Sequence, residues 1–262
     1  MLTDQQIKAA AESLYQAEIT DTPTEPISLV YPEVDMDDAY RIAQLVTEIK
    51  LANGREVKGQ KIGMVAKAMQ QRAGAIEPDY GSIFDNWFVD EGSIIPRSRM
   101  NRPKVEIEIA FVLHTDLTSL TVNTVDVIQA TDFIMPAFEI VDNRYNKRGT
   151  KGLIDSIADA AGCGLVILGG NPVRLTDIDI RRLSGTLSKN GEVEVSGTTS
   201  AVMGNPINSV AWLARKLSEF GVPLRAGEAI MSGSFTSAIE VDAGDTFTAD
   251  FADLGVLSFG VI

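Results

Sequence analysis

Val105-Glu106-Ile107-Glu108-Ile109-Ala110-Phe111-Val112-Leu113 is the stretch on which the fold turns. β-Branched and aromatic residues dominate it, and successive side chains of a strand point to opposite faces. Val105, Ile107 and Ile109 therefore share one face, while Glu106 and Glu108 share the other. Beyond Glu108 the run is wholly apolar, as in a strand buried within a sheet. Two glutamates then lie near the interior, where like charges need a shared proton or a cation. The alternative is the solvated outer face of an edge strand, which this segment alone leaves open.

Downstream, Ile134-Met135-Pro136-Ala137-Phe138-Glu139-Ile140-Val141 places a single carboxylate inside a second apolar run, Phe133–Val141. Glu139 either pairs with Arg144 or Lys104, or is the third oxygen donor of a metal site with Glu106 and Glu108. Three carboxylates with positions left for water and substrate suit a hard divalent ion, Mg2+ or Mn2+. Further β-rich runs follow at Leu165–Leu168, Thr186–Val195 around the hairpin signal Asn190-Gly191, Ile230–Ser232, Thr246–Phe251 and Val256–Ile262. Two helices interrupt the series. One spans Thr124–Ala130; the other has Asn205 as N-cap and Pro206 at its first position, and closes at Gly221.

Upstream the character is helical. Thr3 or Asp4 caps a helix carrying Ile7, Ala10, Leu14 and Ala17, and Asp35 precedes a second with Ala39, Ile42, Ala43, Val46 and Ile49. Gly54 stands where a helix end favours a left-handed residue. Ile27–Pro32 reads as a connection, Lys67–Arg72 as a short helix, and Glu77–Gly81 as a turn. The expected architecture is α+β: a helical N-terminal part, residues 1–60, on a mixed, mostly β body, residues 61–262, forming one integrated unit.

Composition narrows the chemistry. The 262 residues include 23 Lys+Arg against 36 Asp+Glu, a net charge of −13, which opposes a broad surface for nucleic acid or anionic lipid. With 45% hydrophobic residues the chain can build a sizeable core. One cysteine, Cys163, and one histidine, His114, exclude an intrachain disulfide framework, a thiolate zinc site and a two-histidine metal motif. Carboxylate and lysine chemistry remain. The N-terminus has no basic patch followed by an apolar run, and no stretch reaches the about 18 apolar residues of a membrane span. A cytoplasmic protein is expected.

Lys61, among Val57, Ile62 and Met64, is a candidate for proton transfer if partial burial lowers its pKa; the alternative is a head that snorkels to the surface. Asp79 follows Pro78 and also fits a plain turn residue. In Ser232-Gly233-Ser234 the N–H groups and hydroxyls can hold a carboxylate, although such turns usually hold nothing.

Taken together, these residues resemble the 2-oxopent-4-enoate (2-hydroxypentadienoate) hydratases and related 4-oxalocrotonate decarboxylases of the fumarylacetoacetate hydrolase superfamily. The likeness runs through Tyr31-Pro32-Glu33, Lys61-Ile62-Gly63, Glu77-Pro78-Asp79-Tyr80-Gly81, Pro103–Glu108, Pro136–Asp142, Val210–Ala214, Ala226-Gly227-Glu228 and Ser232–Thr236. It implies the C-terminal fold type of that superfamily, with Glu106, Glu108 and Glu139 as Mg2+ or Mn2+ ligands. Lys61 and Asp79 would then be catalytic and Ser232, Gly233 and Ser234 substrate-binding. An aspartate at position 79 marks the hydratases. The implied reaction adds water to a 2-hydroxy-2,4-dienoate or 2-oxo-4-enoate, giving a 4-hydroxy-2-oxo acid in aromatic meta-cleavage catabolism. The alternatives are decarboxylation of a 2-oxo-3-enedioate and a catalytically silent structural or partner subunit. C–C hydrolysis of an acylpyruvate fits less well, because its usual Glu-His pair would need His114. The resemblance further implies a homo-oligomer and leaves open a pathway aldolase or decarboxylase partner. Two positions depart from the hydratase pattern: Met64-Val65-Ala66 follows Lys-Ile-Gly where Thr-Ser is usual, and Ala160 stands for Asn.

Overall fold

The computed structural model describes residues 1–146 and 152–262. Its strands are β1 (Val57–Gly63), β2 (Asp79–Phe84), β3 (Phe88–Val89), β4 (Ile94–Ile95), β5 (Lys104–Leu113), β6 (Thr131–Val141), β7 (Cys163–Leu168), β8 (Ser184–Lys189), β9 (Glu192–Thr198), β10 (Ala229–Met231), β11 (Ile239–Glu240), β12 (Thr246–Phe251) and β13 (Gly255–Val261). The helices are α1 (Asp4–Ile19), α2 (Ile27–Val30), α3 (Met36–Ala52), α4 (Lys67–Ala73), α5 (Thr124–Ala130), α6 (Leu153–Ala158) and α7 (Pro206–Ser218). No described helix is long and apolar enough to cross a membrane.

One mixed sheet runs β2-β1-β10-β5-β6-β7-β3, with β11 also on β5; a second runs β4-β13-β12-β8-β9. This is the expected α+β architecture. β5 sits inside the first sheet, flanked by β10 and β6, so the outer-face reading of its glutamates fails. Val105, Ile107, Ile109 and Phe111 point into the main core between the two sheets, α5 and α7. There Phe138 meets Phe259 edge-on at 5.0 Å. The opposite face of β5 is left with Glu106, Glu108 and Ala110.

The N-terminal helices form as their caps dictate. Thr3 and Gln6 close a capping box on α1, and Asp35 and Asp38 close one on α3. Gly54 follows α3 with φ +81°, the left-handed conformation a helix end favours. Ile7, Ala10, Leu14 and Ile42 build a separate core with Tyr145, Ile157 and Ala158. β1 begins at Val57 and so crosses the division drawn between residues 60 and 61.

A buried charge cluster ties these helices to the first sheet. Lys50 Nζ lies 2.5 Å from Glu18 and 4.1 Å from the Trp87 ring. Arg144, stacked 4.7 Å from the same ring, reaches Glu18 at 3.6 Å and Asp159 at 3.2 Å.

Three local expectations are corrected. Glu77–Gly81 is not a turn throughout: Asp79-Tyr80-Gly81 opens β2, because each pairs with β1. Ile27–Val30 is a helical turn, stabilised when the Ser28 N–H and hydroxyl both donate to Asp155. A third helix, α6, interrupts the strands; its six residues are too few to show a period.

Phe138→Ala, at 0% exposure, should lower the unfolding free energy by about 3–5 kcal/mol in urea titration. Val193→Ala, at 66% exposure on β9, should stay within about 0.5 kcal/mol of the parent.

Candidate metal and proton-transfer site

Strand register gathers the site on one face of the first sheet. Glu106 pairs directly with Glu139, and Glu108 lies two residues along on the same face. Ala110 pairs with Met231, which in turn pairs with Lys61. Lys61 pairs with Gly81, and Gly63 with Asp79. Cross-strand partners share a face, so three glutamates, Lys61 and Asp79 project into one layer. Carboxylate oxygens of Glu106, Glu108 and Glu139 lie within 4.8 Å of one another.

This layer is buried. Glu139 is 0% exposed, Glu108 1%, Asp79 2% and Lys61 4%. Of the two pairings considered for Glu139, neither forms. Arg144 is committed to Asp159 and Glu18, and Lys104 reaches Glu240. The cation beside Glu139 is Lys61, whose Nζ stands 3.2 Å from Oε1 and donates to the Ala161 carbonyl at 2.9 Å.

The expectation of a lowered Lys61 pKa is overturned. Burial pulls it down, but Glu139 and then Asp79 pull it up, and the balance lies well above the ordinary lysine value. With no cation at the glutamates, those two charges hold the proton on Lys61. The carboxylates respond in the opposite sense. Burial, and next the charge of Glu139, push Glu106 up to about 7 and raise Glu108 well above the usual carboxylate range. Burial also raises Asp79, against the pull of Lys61. Three glutamates stand against one lysine, with Glu108 and Glu139 buried and Glu106 partly exposed. Neither oxygen of Glu139 accepts a hydrogen bond. The donor set therefore fits a hard divalent cation.

Ser232-Gly233-Ser234 lies against the cluster, and Gly233 N–H donates to Glu108 Oε2 at 2.7 Å. The carboxylate this turn holds is one of the protein's own. Gly233 has φ +102°, and a β-carbon there would lie 2.4 Å from Val65 Cγ1, so only glycine fits. Ser232 Oγ is buried without a partner, while Ser234 Oγ donates to the Thr236 carbonyl at 3.0 Å. His114 is exposed at the end of β5, away from the carboxylates, and its Nδ1 meets the Thr115 hydroxyl.

Three contributors went unread in the sequence. Gly81 lets the Ala160 carbonyl approach to where a β-carbon would be 2.1 Å away, and Gly63 does the same for Asp79. Ala160 and Ala161 take left-handed conformations, φ +51° and +53°, which turn the Ala161 carbonyl toward Lys61. Ser156 donates to Asp79 Oδ2 at 3.2 Å. Glycines inside strands were the available signal for the first; the departure from the hydratase pattern at Ala160 pointed at the second, and no local signal marked Ser156.

The Fumarylacetoacetate (FAA) hydrolase C-terminal family model matches residues 51–262. The 2-oxo-hept-4-ene-1,7-dioate hydratase of Escherichia coli is 40% identical over 253 residues, 95% of each chain. A 2-keto-4-pentenoate hydratase of Paraburkholderia xenovorans is 39% identical over 254 residues, covering 97% of this chain and 94% of the other. Among solved structures, the 4-oxalocrotonate decarboxylase from Pseudomonas putida G7, complexed with magnesium and adipate, superposes with a TM-score of 0.96 at 34% identity, over 100% of this chain and 99% of that one.

In chelator-treated protein, Glu106 has a folded pKa of about 7 against 4.5 ordinarily. The folded state then binds more protons than the unfolded one between those values, so stability rises as pH falls from about 7 toward 4.5. Urea midpoints across that window should show the rise, and saturating Mn2+ should flatten it.

Proposed function

We propose that this chain, which belongs to the fumarylacetoacetate hydrolase C-terminal family, is a metal-dependent hydratase of aromatic meta-cleavage catabolism, a hydro-lyase. It would add water to a 2-hydroxy-2,4-dienoate or 2-oxo-4-enoate and form a 4-hydroxy-2-oxo acid. The observation that carries the reading is Asp79. It is a buried carboxylate of raised pKa with one oxygen unpartnered, beside Lys61 and on the same sheet face as the three glutamates. The hydratase relatives support the same reaction class.

Glu106, Glu108 and Glu139 would hold the cation, Mg2+ or Mn2+. When bound, it supplies Lewis acidity toward the carboxylate and 2-oxygen of the substrate. Proton transfer to the far end of the 2-hydroxy-2,4-dienoate first gives the conjugated 2-oxo-3-enoate. Water then adds at its fourth carbon, Asp79 takes that water's proton through its unpartnered oxygen, and the enolate carbon takes a proton back. Lys61 keeps its proton and holds positive charge against the negative charge that develops on the substrate. Gly233 N–H, held on Glu108, fixes that ligand's orientation. Ser232 and Ser234 flank it as substrate contacts. Assembly as a homo-oligomer, location in the cytoplasm and a pathway aldolase or decarboxylase partner belong to the same reading, on family resemblance.

The fold match to a 4-oxalocrotonate decarboxylase favours a second reading, loss of carbon dioxide from a 2-oxo-3-enedioate. Proton NMR of 2-hydroxypenta-2,4-dienoate with protein and Mg2+, beside an EDTA control, separates the two. Metal-dependent 4-hydroxy-2-oxopentanoate is expected. An unchanged dienoate, with carbon dioxide released from an enedioate, would establish the decarboxylase. Asp79→Asn should lower hydratase turnover roughly 100-fold or more, and Glu108→Gln should sharply weaken metal-dependent turnover. Full activity in either variant removes the role given to that residue.

A further inference from the structure

The two oxygens of Asp79 are unlike. Oδ2 accepts a hydrogen bond from Ser156 Oγ at 3.2 Å, whereas Oδ1 is buried and has no hydrogen-bond partner. Oδ1 faces the α-carbon of Gly63. A β-carbon built there would lie 2.2 Å from Oδ1 and 3.2 Å from Lys61 Nζ. The free oxygen and the ammonium thus converge on space that only a glycine leaves open.

Ser156 is itself held in place. Its helix, α6, is fastened through the neighbouring Asp155, whose carboxylate accepts from Ser28 N at 2.9 Å and Ser28 Oγ at 2.6 Å. The Asp155 carbonyl accepts from the buried Tyr145 hydroxyl at 3.0 Å. Asp155 and Tyr145 are both 0% exposed. The second torsion of an aspartate is broad and roughly two-fold, so a carboxylate without a fixed donor samples both oxygens in either role. A hydroxyl on a pinned helix removes that freedom.

We propose that Ser156 is a positioning residue: by holding Oδ2 it makes Oδ1 the oxygen that accepts the proton and aims it beside Lys61 Nζ. The inference rests on the assignment of Asp79 as the base. Through Ser28 and Asp155, the N-terminal helices then set the aim of a group on the edge strand β2.

The test compares Ser156→Thr with Ser156→Val, two side chains of matched shape that differ in the hydroxyl, each alone and with Asp79→Asn. Thermal unfolding confirms that each variant folds. Ser156→Thr should keep most of the parental kcat. Ser156→Val should lose roughly 10- to 100-fold in kcat with KM within about twofold. With Asp79→Asn present, Ser156→Val should cause no further loss of the residual rate, because both act through one carboxylate. Equal losses with and without Asp79→Asn, or unchanged kcat in Ser156→Val, overturn the positioning role while leaving Asp79 as base. Full turnover in Asp79→Asn alone overturns the base assignment and this inference with it.

Discussion

The structure is organised around the burial of like charges on one face of one sheet. Glu106, Glu108 and Glu139 bring oxygens within 4.8 Å of each other, and the charge nearest to them is a single lysine. Removing ionised groups from water costs several kcal/mol each even after relaxation. That penalty is offset elsewhere, by the apolar core on the other face of the same strands. Ile107 and Ile109 alternate with the glutamates, and Phe138 precedes Glu139, so each strand that presents an acid also anchors the core. Strand pairing does the rest: Glu106 cannot leave Glu139 without breaking the register of a ten-residue strand buried among its neighbours.

Space in this layer comes from what is missing. Ala110 and Ala137 are the small neighbours of the glutamates, and Gly63 and Gly81 flank Lys61 and Asp79. A β-carbon at Gly63 or Gly81 would collide with Asp79 Oδ1 or the Ala160 carbonyl. Over Gly81 the chain makes a left-handed turn at Ala160-Ala161-Gly162, unfavourable for two alanines by order of 1–2 kcal/mol each. Arg144 grips Asp159 with its backbone N–H at 2.8 Å and its guanidinium at 3.2 Å, which holds the turn from its first residue. The same Arg144 reaches Glu18 of α1. The helical N-terminal part is therefore part of the site's support.

The fold is common to proteins with different chemistry. The relatives with close sequences are named as hydratases, and a decarboxylase shares nearly the whole backbone. A shared scaffold leaves the reaction to the groups it carries. Here that places the weight on Asp79, Lys61 and the turn at Ala160, beside the glutamates.

The alternation in Val105–Leu113 was enough to assign Glu106 and Glu108 to one face and the aliphatic residues to the other, since a strand's period of two is a local property. The capping residues Thr3, Asp35 and Asn205 and the hairpin at Asn190-Gly191 were legible for the same reason. Glu139, Lys61 and Asp79 could be picked out as polar groups in apolar settings, but their convergence could not. It depends on β10 lying between β1 and β5, a pairing of residues more than 100 positions apart. The direction of the Lys61 pKa was not legible, because the carboxylates that raise it, Glu139 and Asp79, are its neighbours in space and not in sequence. Ser156 and the Ala161 carbonyl carried no local mark at all: a hydrogen bond across 77 or 100 residues exists only once the sheet has set both ends. Periodicity and capping are written in the sequence because they act over a few residues; the electrostatics of the site is decided by tertiary structure, because charge acts through space.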